Sequence, residues 1–144
     1  MSAHPDPRMA AVIQLFEQLK PADVARMGEF YTEQAYFRDP FNEVHDLPGV
    51  QRVFAHMFST LEQPRFLIQD ALLQDSQGFL TWDFCFRMRG QTLERRIHGS
   101  SHLRFAADGR VAYHRDYWDA AEELYEKLPL LGGLLRWIKR KLRA

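Results

Sequence analysis

An alternation of large apolar and polar residues within residues 79–89 constrains the fold of this chain more than any other feature. Every second position there carries a large apolar side chain: Trp82, Phe84, Phe86 and Met88. Successive side chains of a β-strand point to opposite faces of its sheet, so these four lie together on one face. The intervening positions are mostly polar or charged. We therefore expect a strand whose aromatic face turns toward the interior.

Turn-forming residues divide the surrounding sequence into further strands. Gly90-Gln91 and Asp108-Gly109 are hairpin signals, and Ser76-Gln77-Gly78 precedes the alternating segment. The four strands delimited in this way are Arg65–Gln74, Phe79–Arg89, Leu93–Phe105 and Val111–Trp118. An earlier short strand, Ala35–Arg38, runs into Asp39-Pro40, and Pro40 stops regular structure there. Four successive strands joined by short turns predict an antiparallel meander.

The same period of two orients the strand Leu93–Phe105. Leu103 and Phe105 are natural core residues. Ile97, Gly99 and Ser101 lie an even number of residues from these two and therefore share their parity and also face inward. His98 and His102 lie an odd number of residues away and face outward. A β-bulge between Ile97 and Leu103 would reverse part of this assignment.

Helical spacing marks both ends of the chain. Asp6 can cap a first helix that begins at Pro7, and its apolar positions are Val12, Ile13, Phe16 and Leu19. Pro21 opens a second helix with Val24, Met27, Phe30 and Tyr31 on one side, and a third, after Pro48, carries Val50, Val53, Phe54, Met57, Phe58 and Leu61. Helical patterning returns from Ala120, breaks at Pro129 and at Gly132-Gly133, and resumes to the end. Helices segregated from a meander predict an α+β fold, with three N-terminal helices over a strongly curved sheet and a hollow between them.

Composition limits the class of protein. The 144 residues suffice for one domain, residues 1–144, and 19 basic residues balance 19 acidic ones, so there is no overall basic footprint for nucleic acid. Aromatic residues reach 13%, a load that suits a cavity wall. The single cysteine, Cys85, precludes an intrachain disulfide and fits a reducing cytoplasm. The N-terminus shows no signal-peptide pattern and no apolar run approaches a membrane span, so we expect a cytoplasmic protein.

Two segments carry a family resemblance. The element order, the segment Phe30–Pro40 (FYTEQAYFRDP) and the stretch His102–Asp119 (HLRFAADGRVAYHRDYWD) resemble the nuclear-transport-factor-2-like superfamily, closest to its SnoaL-like and ketosteroid-isomerase-like branches. The resemblance covers about residues 8–125. It implies a cone-shaped α+β barrel with a pocket between sheet and helices, and a homodimer formed through the outer sheet face. It does not fix an activity, because this fold supports many functions.

The resemblance also implies roles for particular residues. Asp39 stands where the isomerase branch carries its general-base carboxylate, although Asp before Pro is also a common turn former. The isomerase branch places an inward aromatic where Trp118 stands, which puts Asp116 and His114 inside as well. Asp116 matches the aspartate of the His-x-Asp pattern of SnoaL-like cyclases. The alternative for Asp116 is a structural carboxylate paired with His114.

Departures from the family pattern argue against a steroid isomerase of the usual type. The oxyanion-hole tyrosine position falls at about Leu15 or Phe16, and the position of the protonated acid falls at Ser101. The predicted catalytic residues are therefore Asp39, Asp116 and His114, with no cofactor. The predicted ligand-binding residues are Phe16, Tyr31, Trp82, Phe84, Phe86, Met88, Ser101, Leu103 and Trp118. No metal site is expected, since His98 and His102 lack a third ligand of suitable parity.

The C-terminal tail, residues 129–144, interleaves apolar and basic residues. Leu130, Leu131, Leu134, Leu135, Trp137, Ile138 and Leu142 alternate with Arg136, Lys139, Arg140, Lys141 and Arg143. This pattern is typical of a basic amphipathic helix. It can act as a lid over the cone or a docking element for a partner, or it can make peripheral contact with a membrane surface.

Three functions stay open on the sequence. The first is a cofactor-free isomerase, cyclase or hydratase acting on a small hydrophobic molecule. The second is a non-catalytic carrier of such a molecule. The third is a dimeric interaction module whose tail docks a protein or a membrane.

Overall fold

The computed structural model of the protein describes residues 4–123 and 129–143. The helices are α1 (Pro7–Glu17), a 3-10 helix (Pro21–Glu29), α2 (Leu47–Thr60), α3 (Ala120–Glu123) and α4 (Pro129–Leu142). The strands are β1 (Tyr31–Arg38), β2 (Glu43–Val44), β3 (Leu61–Gln74), β4 (Gln77–Met88), β5 (Glu94–Phe105) and β6 (Val111–Tyr117). The predicted domain, residues 1–144, includes residues 1–3, 124–128 and 144, which lie outside the described residues.

The six strands form one sheet in the order β2-β1-β6-β5-β4-β3. Strands β3 to β6 pair antiparallel with their sequence neighbours, as the hairpin signals predict. Strand β1 pairs parallel with β6, so the N-terminal strand closes against the last strand of the meander. The predicted α+β fold with N-terminal helices on a mainly antiparallel sheet is confirmed.

Local signals explain the N-terminal helices. The carboxylate of Asp6 caps α1 by accepting a hydrogen bond of 2.9 Å from the Arg8 backbone N–H, and Pro7 occupies the first turn. The carboxylate of Asp46 caps α2 in the same way through Gly49. The buried faces of these helices pack on the inner face of the sheet and close one core with it.

The inner face of the sheet follows the predicted parity where the register is unbroken. Strands β4 and β5 pair continuously from Gln77–Arg104 to Arg87–Glu94, so Ile97, Gly99 and Ser101 face the interior with Trp82. The parity fails at the start of β6. A register shift next to Phe105 turns Val111 into the core and leaves Ala112 as the extra residue, although Ala112 lies two residues before the inward-facing His114 and unbroken alternation would place it inside.

Several element boundaries differ from the predicted ones, most of them by one or two residues, and three differences are larger. Tyr31 begins β1 instead of ending a helix, because the helical spacing of Val24, Met27 and Phe30 runs on into the strand. Strand β3 starts at Leu61 and passes through Pro64, since a register irregularity at Gln63, which has a φ of 52°, accommodates the proline. Helix α4 continues through Gly132-Gly133 without the predicted break. Strand β2 was not predicted.

Candidate functional site

A cavity of about 310 Å³ lies between α1, α2 and the inner face of the sheet. Its wall is mostly apolar and aromatic, with contributions from Phe16, Phe37, Phe54, Phe66, Trp82, Phe84, Phe86 and Trp118. The polar side chains that reach it belong to Asp39, Asn42, His56, Thr60, Ser101, His114 and Asp116. An apolar hollow of this size with a few convergent polar groups is the usual form of a small-molecule site.

The structure brings most of the predicted site residues to this one cavity. Asp39, Asp116 and His114 line it, as do Phe16, Trp82, Phe84, Phe86, Met88, Ser101 and Trp118. Tyr31 and Leu103 do not line it. Both side chains are fully buried in the core behind the cavity wall, because β1 and the end of β5 lie beneath the helices. Tyr31 nevertheless contacts the site through a hydrogen bond.

Asp116 is the centre of a network of buried polar groups. Its Oδ1 accepts a hydrogen bond of 2.5 Å from the hydroxyl of Ser101 and lies 2.6 Å from Nε2 of His114. The Asp116 side chain is 14% exposed, whereas that of His114 is 2% exposed. Among the described residues, Oδ1 takes part in both of the hydrogen bonds made by the Asp116 carboxylate. No hydrogen bond to the second oxygen, Oδ2, is formed by the described residues, and the Asp116 side chain lines the cavity.

Two further residues complete this polar network, which comprises Tyr31, His114, Asp116, Ser101 and Trp82. The indole Nε1–H of Trp82 donates to the Ser101 hydroxyl over 2.9 Å. An indole N–H can only donate, so the single proton of Ser101 is directed to Asp116. At the other end, the Tyr31 hydroxyl lies 2.8 Å from Nδ1 of His114.

The chemistry of Asp116 and Tyr31 constrains the direction of hydrogen bonding through His114. Complete burial, reinforced by the negative charge of Asp116, raises the pKa of the Tyr31 hydroxyl well above its usual value. Tyr31 therefore keeps its proton. The Asp116 carboxylate can only accept, so Nε2 of His114 is the donor to it, and in a neutral imidazole Nδ1 then accepts a hydrogen bond from the Tyr31 hydroxyl. Every donor in the network thus points toward the one carboxylate.

Asp39 lies at the rim of the cavity in a different setting. Its carboxylate accepts four hydrogen bonds from the loop that follows it: from the backbone N–H groups of Phe41 and Asn42, and two from the Asn42 side chain. This is the turn-forming arrangement expected of Asp before Pro. Because the loop occupies both oxygens, Asp39 is less available for proton transfer than Asp116.

Several cavity residues were not predicted as site residues. Helix α2 supplies Val53, Phe54, His56, Met57 and Thr60. Its apolar spacing identifies a buried face but does not distinguish packing against the core from lining a cavity. Phe66 was missed because β3 mixes apolar and polar residues, and its stacking on Phe84, with centroids 4.6 Å apart, follows only from the strand register.

The outer face of the sheet carries a separate polar cluster. The buried carboxylate of Asp83 binds Arg96 over 3.0 Å and Nδ1 of His98 over 2.8 Å. His98 and His102 point outward, as their parity predicts, and His102 bonds the Gln77 side chain. Across residues 4–123 and 129–143, no three His, Cys, Asp or Glu side chains are grouped to hold a metal ion.

Comparison with known families adds to this geometry. The model of the SnoaL-like domain family matches residues 12–114, well over half of the chain. This chain belongs to the SnoaL-like domain family. The SnoaL-like match includes Asp39, Ser101 and His114 but ends before Asp116 and Trp118. No curated protein matches the sequence.

Solved structures share the fold of this SnoaL-like protein at low sequence identity. A hypothetical protein with a ketosteroid isomerase-like fold from Catenulispora acidiphila DSM 44928, in complex with trimethylamine, superposes with a TM-score of 0.71 at 12% identity, covering 84% of this chain and 92% of that one. A proposed SnoaL-like polyketide cyclase from Jannaschia sp. CCS1 gives 0.69 at 14% identity, covering 84% and 94%. An LEH-like epoxide hydrolase from M. tuberculosis gives 0.68 at 14% identity, covering 92% and 96%. At these identities the likeness establishes the fold alone.

Proposed function

We propose that this SnoaL-like protein binds a small, largely apolar molecule in its cavity and transfers a proton to and from it through the Asp116 carboxylate. The observation that carries the proposal is the one-sided hydrogen bonding of Asp116, a residue that lines the cavity. Its Oδ1 accepts hydrogen bonds from Ser101 and His114, whereas none of the described residues donates to Oδ2. A base must be both fixed in position and accessible to the proton that it removes, and this arrangement supports both requirements.

The other members of the polar network have positioning roles in this proposal. Ser101 and His114 fix the orientation of the carboxylate, and Tyr31 fixes the tautomer of His114. A proton removed from the ligand is held on Asp116, whose side chain is 14% exposed and can exchange that proton with solvent before one is returned to the same molecule. Removal at one atom and return at another is a net isomerisation, which balances without an oxidant, a reductant or a cofactor.

Deuterium exchange tests the chemistry without knowledge of the natural substrate. Neutral bicyclic ketones and phenols such as 2-tetralone and 2-naphthol fit the proposed chemistry, and the carbon-bound hydrogens beside the carbonyl of 2-tetralone are acidic. We expect members of this set to raise the melting temperature and the native protein to accelerate incorporation of deuterium from D2O into 2-tetralone, measured by NMR. Asp116→Asn is expected to slow this incorporation by at least about 100-fold, because general-base catalysis contributes on that order.

Binding and chemistry are separated by matched variants. The amide of Asp116→Asn still offers an oxygen to Ser101 and His114, so affinity for 2-tetralone should change little. Asp70→Asn, an exposed carboxylate hydrogen-bonded to Thr81 on the outer face, serves as the control and should leave exchange unchanged. Binding without exchange by the native protein would contradict the catalytic role and favour a carrier. Failure of every member of the set to bind would contradict a ligand site altogether.

A further inference from the structure

Helix α4 presents an exposed apolar face that the cavity does not use. Its 14 residues extend over about 21 Å. Five large apolar side chains on it are between 39% and 81% exposed: Leu131, Leu134, Trp137, Ile138 and Leu142. None of residues 131–143 lines the cavity. The lid predicted as one role for the tail, residues 129–144, stays a prediction.

The charged residues of α4 are all of one sign, and they lie mostly away from its apolar side. All its charged residues are basic, and five of the 19 basic residues of the chain fall within residues 136–143, although the whole chain is neutral. Helical periodicity places Leu131, Leu134, Ile138 and Leu142 along one side. Arg136 and Arg140 fall on the opposite side, Lys139 lies on the flank between the two sides, and Arg143 follows the end of the helix.

Trp137 and Lys141 occupy the border of the apolar side. The Lys141 ammonium lies 5.7 Å from the centre of the Trp137 ring, and the ring is half exposed. An indole with its N–H at a wet boundary, next to a lysine with a long apolar stem, is the combination favoured at the interface between lipid headgroups and acyl chains. No helix in the described ranges is long and apolar enough to cross a bilayer.

From this arrangement we propose that α4 docks the protein on the surface of an anionic lipid bilayer. The apolar side enters the boundary between headgroups and acyl chains, and the basic residues meet the anionic headgroups. Charge complementarity selects the membrane over an apolar protein groove, because a helix with four cations and no acidic residue, followed directly by Arg143, gains from a dense negative surface. The proposal is independent of the reaction at Asp116.

Vesicle binding by the full-length protein tests the proposal. We expect it to cosediment with vesicles of phosphatidylcholine and phosphatidylglycerol, to bind phosphatidylcholine vesicles weakly, and to lose affinity as salt is raised. Each cation near an anionic surface contributes roughly fivefold in affinity, so Arg140→Glu with Lys141→Glu should weaken binding by roughly 20-fold or more. Leu134→Ser with Ile138→Ser should weaken it by roughly tenfold or more.

Matched controls distinguish the helix from general charge and hydrophobicity. Arg52→Glu reverses an exposed cation on α2, and Leu93→Ser removes an exposed apolar side chain in the turn before β5; both should bind like the native protein.

A quenching experiment tests whether Trp137 enters the lipid. Lipids with brominated chains should quench the tryptophan emission of the native protein, and they should quench that of Trp137→Phe much less. Equal binding to both vesicle types, no binding, or equal loss in controls and α4 variants would overturn the proposal. The same holds if the α4 variants alter only the affinity of 2-tetralone, which would favour a lid.

Discussion

Tyr31 contributes to the site without touching the cavity. Its hydroxyl is fully buried and its one bonding partner in the polar network is Nδ1 of His114. The imidazole is itself 2% exposed, so water is a poor substitute for the phenol. A buried nitrogen that loses its partner costs the desolvation of that group. Through His114, the Tyr31 hydroxyl therefore contributes both to the stability of the fold and to the position of the Asp116 carboxylate.

Replacing Tyr31 tests this link. We expect Tyr31→Phe to lower the free energy of unfolding by about 1 to 3 kcal/mol, measured by urea denaturation at neutral pH, because Nδ1 of His114 is left unsatisfied. Tyr36→Phe is the matched control, since the Tyr36 hydroxyl donates to the exposed Glu43 and its loss should cost at most about 0.5 kcal/mol. Equal losses in the two variants would contradict the structural role of the network.

The raised pKa of Tyr31 also predicts how the difference in unfolding free energy between the native protein and Tyr31→Phe changes with pH. In the unfolded chain a tyrosine ionises near pH 10, whereas folded Tyr31 keeps its proton to higher pH. Above about pH 10 the unfolded state therefore binds fewer protons than the folded state, and the stability of the native protein falls as pH rises. Tyr31→Phe lacks this group, so its deficit relative to the native protein should shrink above about pH 10. A constant deficit would contradict the assignment.

At the scale of elements, the contact between β4 and β5 holds the polar network in place. Gly99 lies directly across from Trp82, and a Cβ at Gly99 would stand 2.5 Å from the Cη2 atom of the indole. The ring packs against bare backbone, and this close approach allows its Nε1–H to reach Ser101. The glycine is thus required by the neighbouring strand and not by its own backbone angles.

Gly99→Ala should therefore disturb both packing and the network. We expect it to cost about 1 to 3 kcal/mol in the free energy of unfolding, because the indole must shift. Gly133→Ala is the control: a Cβ there has open space in the middle of α4 and should stabilise the helix by up to about 1 kcal/mol. Thermal and urea denaturation of both variants measure the two effects. A Gly99→Ala protein as stable as the native one would show that the ring can move freely.

Elements could be predicted wherever the sequence signal was local. The alternation from Trp82 to Met88, together with the hairpin turns, was enough to give the meander and its inward face. Tyr31 was assigned to a helix because its spacing from Met27 also fits a helix, and the bulge at Ala112 leaves no mark in the sequence. The parallel pairing of β1 with β6 joins distant segments without a turn, so no local pattern reveals it.

The candidate site could be predicted only in part for the same reason. Parity and family resemblance brought Asp116, His114 and Ser101 to one surface before any coordinates were known. Which groups bond to which depends on side-chain geometry across three strands, so the sequence could not separate the loop-bound Asp39 from the accessible Asp116. Their contribution to binding or catalysis stays a prediction until it is measured.

At the scale of the whole molecule, the outer sheet face bears on oligomeric state. The homodimer implied by the family resemblance stays a prediction. Large apolar side chains that are more than a third exposed lie on this face at Leu67, Leu72, Phe79 and Tyr117. Exposed apolar groups that share a face commonly mark an interface between proteins.

Light scattering tests this prediction directly. We expect the native protein to have twice the protomer mass of 17.0 kDa, and Leu72→Glu with Phe79→Glu to have the protomer mass, because buried carboxylates would oppose association. Leu93→Glu adds the same kind of charge in the turn before β5, away from that face, and should leave the dimer intact. A native protein of 17.0 kDa would contradict the interface.

The hydrogen bond between Tyr31 and His114 joins residues 83 positions apart, and this separation affects the order in which the protein can fold during synthesis. During synthesis β1 emerges before the meander, yet the strand beside it, β6, is the last strand of that meander to follow. A nascent polypeptide that has not reached Val111 therefore holds β1 with one long edge open to other chains. Assembly of the cavity consequently waits for the synthesis of β6, and truncations before β6 should aggregate instead of yielding a smaller folded protein.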